Sequence, residues 1–294
     1  MPGFRLKMAT QLGEKVAAEA GFTQFPVDPR RIAESKGIAV QSKPAHVKGV
    51  SGALIFAGND VTLIYSSEYN SAGFENFCIG HELGHYFLPG HPEEIMKQGG
   101  SHISRADFTQ NTSIELEADH FASGLLLPFS LTRSFLSRNQ IGLEGILKLA
   151  DVARCSRTAA AIRSAECCEY PVAIIVSQGE QVSYAFLSDG FKRLGKNLAF
   201  LKKGTPLPDS ATLRFNRDPE NVLGIRQESS STTLSDWFDG PPGIKLDEEI
   251  VGLGGYGYTL TVLSGEDLPI DPDEEEDEER DLEDRWTPRF AYGR

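Results

Sequence analysis

The sequence predicts an α+β protein whose chemistry sits on two helices beside a small antiparallel sheet, with a helical module and a second β-rich half behind them. Three observations predict it. Residues 77–88 form an apolar run with helical character that carries His81, Glu82 and His85. Residues 114–127 form a second helical run of good helix formers with an acidic first turn and Pro128 at its end. From Tyr170 the texture changes to short apolar runs separated by polar turns, as strands require.

Taken in order, residues 9–20 read as an amphipathic helix, with Leu12, Val16 and Ala17 at helical spacing. Asp28 followed by Pro29 is a helix start, N-cap then first helical position. That helix runs to about Ser35 and stops near Gly37, and residues 38–41 read as a short strand. Residues 52–56 and 61–65 flank Ala57-Gly58-Asn59-Asp60, a hairpin turn. An edge of this sheet offers room for an extended peptide beside the motif helix. After Pro128, residues 143–153 and 157–166 read as two helices joined by Arg154-Cys155-Ser156, with Ser156 as N-cap: a helix-turn-helix-like module. As a DNA reader it would present Arg157 and Arg163. Its Ala159-Ala160-Ala161 run supplies few base-reading side chains, however, so packing on the preceding domain is the favoured role. Residues 172–176 and 182–186 read as a hairpin whose first strand, apolar throughout, is expected to be central. Residues 202–243 read as loop-rich, and residues 256–263 as a closing strand. The expected regions are 1–128, 129–168, 169–265 and a tail, 266–294.

Residues four apart on a helix share a face, so His81 and His85 address one ion. Two neutral imidazoles at that spacing suit zinc, and Glu82 beside them is placed as the base for a water. In the second run Glu115 and Asp119 share a face, while Glu117 lies nearly opposite. Glu115 is therefore read as the third metal ligand. Asp119 is read as the carboxylate that accepts a hydrogen bond from a ligand histidine and fixes its tautomer. A rival third ligand is His91, six residues after His85. Metzincin-type sites with that spacing need glycine at position 88, where this chain has Leu88. Pro89 is expected to end the helix and leave His91 in a loop. As donors to a developing oxyanion, His91, His102, Tyr86 and His120 are candidates by residue type alone.

The two motifs together resemble the ImmA/IrrE metallopeptidases. The resemblance lies in Phe77-Cys78-Ile79-Gly80-His81-Glu82-Leu83-Gly84-His85-Tyr86 and in Glu115-x-Glu117-Ala118-Asp119-x-Phe121-Ala122-x-x-Leu125-Leu126-Leu127-Pro128. It implies a zincin-like peptidase domain with His81, His85 and Glu115 on Zn2+ and Glu82 as the base. It also implies a GAF-like C-terminal sensor domain. The implied substrate is a helix-turn-helix transcriptional repressor, cut to relieve repression in a stress or mobile-element response. The resemblance is strong over about residues 10–165 and weaker to about 265. It departs over 89–113, where Pro89-Gly90-His91-Pro92 and Gly99-Gly100-Ser101 suggest a lid or substrate rim.

Composition narrows the alternatives. The chain has 294 residues, 40% of them hydrophobic, which is ample for a core of two domains. No apolar stretch reaches the roughly twenty residues that cross a bilayer, and the first fifteen residues lack the apolar core of a secretory signal. Cys78, Cys155, Cys167 and Cys168 have neither disulfide-framework nor zinc-finger spacing, so a reducing cytoplasm is expected. The net charge is −13, but positions 266–284 hold thirteen acids against Arg280 alone, and the rest is close to neutral. No basic patch announces a nucleic-acid binder. The acidic tail is too charged to pack and is expected to be disordered. Two alternatives remain: a DNA-binding regulator using the 143–166 helices, and a ligand-sensing regulator whose zinc site is silent or structural.

Overall fold

The computed structural model describes residues 2–44, 47, 49–68, 71–105, 113–140 and 142–265; the acidic tail lies outside the described residues. Helix α1 (Pro2–Glu19) begins earlier than its periodicity suggests and buries Ala9, Val16 and Ala17. In α2 (Pro29–Ser35) the Asp28 carboxylate accepts from the Arg31 backbone N–H at 3.1 Å, and Pro29 occupies the first turn, where no partner for an N–H is needed.

The first sheet contains β1 (Ala39–Ser42), β2 (Val50–Ala57), β3 (Asp60–Tyr65) and β4 (Ser101–Arg105), in the order β1-β3-β2-β4. It is not purely antiparallel. β1 and β2 run in opposite directions, and β3, returning from the β2 hairpin, inserts between them and so lies parallel to β1. Between β3 and β4 come α3 (Ala72–Phe87) and α4 (His91–Lys97). Pro89 does follow the end of α3, but His91 is not in a loop. Gly90, at φ 91°, restarts the chain, and Pro92 fits the first turn of α4 because its missing N–H would be unpaired there anyway. Gly99 and Gly100, both at positive φ, then turn the chain into β4. The segment read as a lid or rim is thus partly a helix and an edge strand.

Helix α5 (Ser113–Leu126) lies between α1 and α3. Ile79, Leu83, Phe121 and Leu125 from α3 and α5 meet Leu54 and Leu63 from the sheet in one core, all essentially without exposure. Glycines bring the helices together. A Cβ on Gly84 would stand 2.9 Å from Ala118 Cα, and one on Gly124 would stand 2.1 Å from the Thr10 carbonyl oxygen.

Helices α6 (Phe129–Leu136), α7 (Leu143–Ala153) and α8 (Arg157–Cys167) follow. Ser156 caps α8 as expected, accepting from Ala159 N–H. The buried Ile146, Leu149, Ala160 and Ala161 pack on a second sheet, in one core with Val172, Ile174, Leu260 and Val262. Arg163 is no DNA contact: it is 5% exposed, donates to the Leu127 carbonyl at 2.9 Å, and pairs with Glu14 and Glu166.

The remaining chain forms β5 (Val172–Gln178), β6 (Gln181–Leu187), α9 (Asp189–Lys192), α10 (Ala211–Asn216), α11 (Pro219–Leu223), β7 (Gln227–Thr233), α12 (Leu234–Trp237), β8 (Lys245–Gly252) and β9 (Thr259–Ser264). The sheet is antiparallel throughout, in the order β6-β5-β9-β8-β7. β9 holds the middle and β5 lies one place off it. β5 is apolar throughout because both its faces are covered. Val172, Ile174 and Val176 face the α7–α8 side, while Ala173 and Ile175 join Phe191, Trp237 and Phe238. The region read as loop-rich contains β7, and β8 follows it. Neither carries an apolar run: β7 is Gln-Glu-Ser-Ser-Ser-Thr-Thr on an edge, and β8 has three acids in its middle.

Candidate metal centre

Ser71 caps α3, accepting from Phe74 N–H, and the apolar side of the helix seats it on the sheet. This sinks His81, Glu82 and His85 out of solvent. From the neighbouring helix α5, Glu115 and Asp119 reach the same point, and His102 arrives from β4. His81 Nε2 lies 3.3 Å from Glu115 Oε2, His85 Nε2 lies 3.4 Å from Glu115 Oε1, and His102 Nε2 lies 3.0 Å from that same oxygen. Ligand-capable atoms of His81, His85, His102 and Glu115 all fall within 4.8 Å of one another.

Two imidazole nitrogens, His81 Nε2 and His85 Nε2, stand only 3.1 Å apart. Without an ion, a proton must separate their lone pairs; with one, both become ligands. Burial works against a charge on His81, but Asp119, 2.8 Å from its Nδ1, and Glu115 outweigh it and hold the pKa up at about 10. Burial pushes His85 down to about 3 despite Glu115, and the neighbouring His81 adds to the shift. Burial also opposes the charge on Glu115, but His102, His81 and His85 overcome it and hold this carboxyl far below the usual range. The ion-free cluster thus carries its proton on His81. Nitrogen and carboxylate donors in this convergence fit a zinc-type divalent cation.

Glu82 is fully buried beside the cluster. Its Oε1 accepts from Ser104 Oγ at 2.6 Å, while its Oε2 has no partner among the described residues. Burial pushes its pKa up, against the pull of His81 and Ser104. Gly52 of β2, paired across the sheet with Ser104, makes the room, since a Cβ there would stand 2.4 Å from Glu82 Oε1.

The other candidates fall elsewhere. His120 pairs with Thr10 on α1, and Tyr86 stacks on Phe56 in the core. His91 sits behind His85, Nδ1 to Nδ1 at 3.2 Å, and meets Glu117 on its far side. Only His102 of that set joins the cluster. Its signal in the sequence was alternation: His102 and Ser104, two apart on a strand, point to the same face, while Ile103 points outward and is 57% exposed. A cleft of about 700 Å³ opens over His102 and Glu115, with Arg5, Gln98 and Ile103 on its walls.

Residues 33–164 match the family model described as the IrrE N-terminal-like domain, peptidase M78. This segment is similar to the IrrE N-terminal-like domain. The matched segment contains every residue of the cluster, together with α6, α7 and most of α8. Among solved structures, a Mycobacterium tuberculosis transcriptional regulator is similar in fold to the chain, with a TM-score of 0.54 at 14% identity, covering 87% of this chain and 76% of that one. No curated protein matches the chain in sequence. No helix among the described residues is long and apolar enough to cross a membrane.

Proposed function

We propose that the chain is a zinc-dependent endopeptidase, with a zincin-like domain in which His81, His85 and Glu115 hold Zn2+ and Glu82 is the catalytic base. The observation that carries this reading is Glu82 Oε2: a buried carboxylate oxygen without a partner among the described residues, beside a convergent set of imidazole and carboxylate donors. When bound, the ion supplies Lewis acidity for a peptide carbonyl and acidifies a nearby water. Glu82 takes that water's proton on Oε2 and passes it to the leaving amine. Burial raises its pKa and so makes it a stronger base than a solvated carboxylate, and Ser104 holds its other oxygen still. Asp119 fixes the His81 tautomer. His102 Nε2, close to Glu115 but not aligned for a hydrogen bond, is available to donate to the developing charge on the substrate oxygen. A fourth protein ligand would close the site, so in this reading His102 faces the substrate and leaves the fourth position open.

The cleft wall includes the edge strand β4, against which an extended peptide can pair by its backbone. The substrate in this reading is a helix-turn-helix repressor, and the work is gene regulation in a reducing cytoplasm. Residues 1–128 act as the peptidase unit and 129–168 as a packing module, and 169–265 is a GAF-like sensor. The DNA-binding alternative loses one of its two named arginines, because Arg163 is spent inside the fold.

The test is cleavage of candidate repressors by the purified chain with zinc or with chelator, with Glu82→Gln as the control. Cleavage is expected to need zinc and to fall by about 10²–10⁴-fold in the variant while bound zinc is retained. A variant that cuts at the wild-type rate sinks the assignment of the base.

A further inference from the structure

His81 and His85 are held from behind in different ways. His81 Nδ1 has the Asp119 carboxylate directly against it. His85 Nδ1 instead meets His91 Nδ1, and the carboxylate stands one ring further out: Glu117 Oε2 is 3.4 Å from His91 Nε2. Glu117 is itself pinned, since its Oε2 accepts from Arg5 at 3.0 Å and its Oε1 from Ser113 Oγ at 2.8 Å. His85, His91 and Glu117 are all buried, and Arg5 lies at the cleft wall, partly open to water.

We propose that Glu117 and His91 orient His85 in series, a carboxylate acting through a second imidazole so that the metal-facing nitrogen of His85 stays bare. The inference rests on the zinc reading above and adds two positioning residues to it. Proton counting supports it. A nitrogen–nitrogen contact of 3.2 Å requires one proton, and there are two ways to place it. If His91 Nδ1 carried it, a neutral His91 would turn the lone pair of Nε2 toward the Glu117 carboxylate, setting two acceptors face to face in a buried space. The same choice would move the proton of His85 onto Nε2, into the ligand cluster. If His85 Nδ1 carries it, each contact has one donor and one acceptor: His85 Nδ1–H donates to His91, and His91 Nε2–H donates to Glu117. His85 Nε2 then keeps its lone pair for the ion. Arg5 already gives Glu117 a cationic partner, so no charge on His91 is required. Glu117 is to His85 what Asp119 is to His81, and α5 supplies one ligand and both outer carboxylates.

The experiment combines imidazole nitrogen spectra with zinc affinities. In the zinc-loaded chain labelled with nitrogen-15 histidine, the signals removed by His91→Asn are expected to show the proton on Nε2 and none on Nδ1. Zinc affinity, measured against a chromophoric chelator, is expected to fall about 10–100-fold in Glu117→Gln. In the His91→Asn background, Glu117→Gln is expected to add nothing, because its path is already cut, while Asp119→Asn keeps its full effect there. A merely structural Glu117 would weaken binding equally in both backgrounds, and that result, or a proton on His91 Nδ1, overturns the relay. A wild-type chain that binds no zinc removes the metal reading itself, and the relay with it.

Discussion

Gly52 decides where Glu82 stands. Any side chain at this position of β2 pushes on Glu82 Oε1, and a shift of about an ångström in a catalytic group costs on the order of a hundredfold in rate. Gly52→Ala is therefore expected to lower kcat/KM for repressor cleavage by roughly 10–100-fold with zinc stoichiometry unchanged. Loss of zinc along with activity would contradict it. His81 makes a second prediction. Its folded pKa of about 10 lies above the ordinary imidazole value of about 6.5, so the ion-free fold gains stability from this proton fully below about pH 6.5 and loses it as pH rises through about 10. A metal must displace that proton. Zinc binding near neutrality is expected to release about one proton, and affinity to rise up to about tenfold per pH unit between about 6 and 8. Calorimetry in buffers of different ionisation enthalpy measures the release; no net release would place the proton elsewhere.

Among the elements, the contact of α3 with α5 sets the spacing between His81, His85 and Glu115. Gly84 sits where a methyl group meets the Ala118 backbone at 2.9 Å, which flexible side chains cannot relieve. Alanine gains about 1 kcal/mol in helix propensity over glycine, but overpacking of about 1–3 kcal/mol outweighs it. Gly84→Ala is expected to lower the urea midpoint of the ion-free chain and to weaken zinc binding; a more stable variant would show that the helices part freely. Such helices were legible in the sequence because their apolar positions repeat and their ligand-capable side chains recur at four. The hairpin of β2 and β3 was legible from its turn. β4 was not: Ser-His-Ile-Ser-Arg has one apolar residue, and that residue faces outward. His102 could be named only by type for that reason. Helical spacing sets Glu117 nearly opposite Glu115, yet what meets Glu117 is Arg5 of α1 and His91, which no helical wheel contains. β7 and β8 escaped because edge position and polar burial leave no alternation to find. Glu248 on β8, for instance, is buried against Thr212 rather than against apolar side chains.

For the whole molecule, Arg163 ties three regions together: Glu14 of α1, the last turn of α5 through the Leu127 carbonyl, and its own helix through Glu166. Arg163→Met leaves that carbonyl and a part-buried carboxylate without their donor, at a cost of about 1–3 kcal/mol. The denaturation midpoint of the full chain is expected to fall, while any weak DNA retention stays as in the wild type. DNA retention lost without a change in stability would restore the reader role. Beyond these contacts, the order of the second sheet has a consequence for synthesis. β9 is the last described strand and also the central one. Until residue 264 has emerged from the ribosome, the β5–β6 hairpin and the β7–β8 pair have no common neighbour, and each keeps an open edge. The first turn of α7 waits as well, because Leu143 N–H finds its acceptor in Glu249. The half that carries the candidate metal centre can assemble while its companion is still being made. The companion sheet is complete only once β9 is available, so chains arrested shortly before that point would present bare strand edges to whatever meets nascent protein.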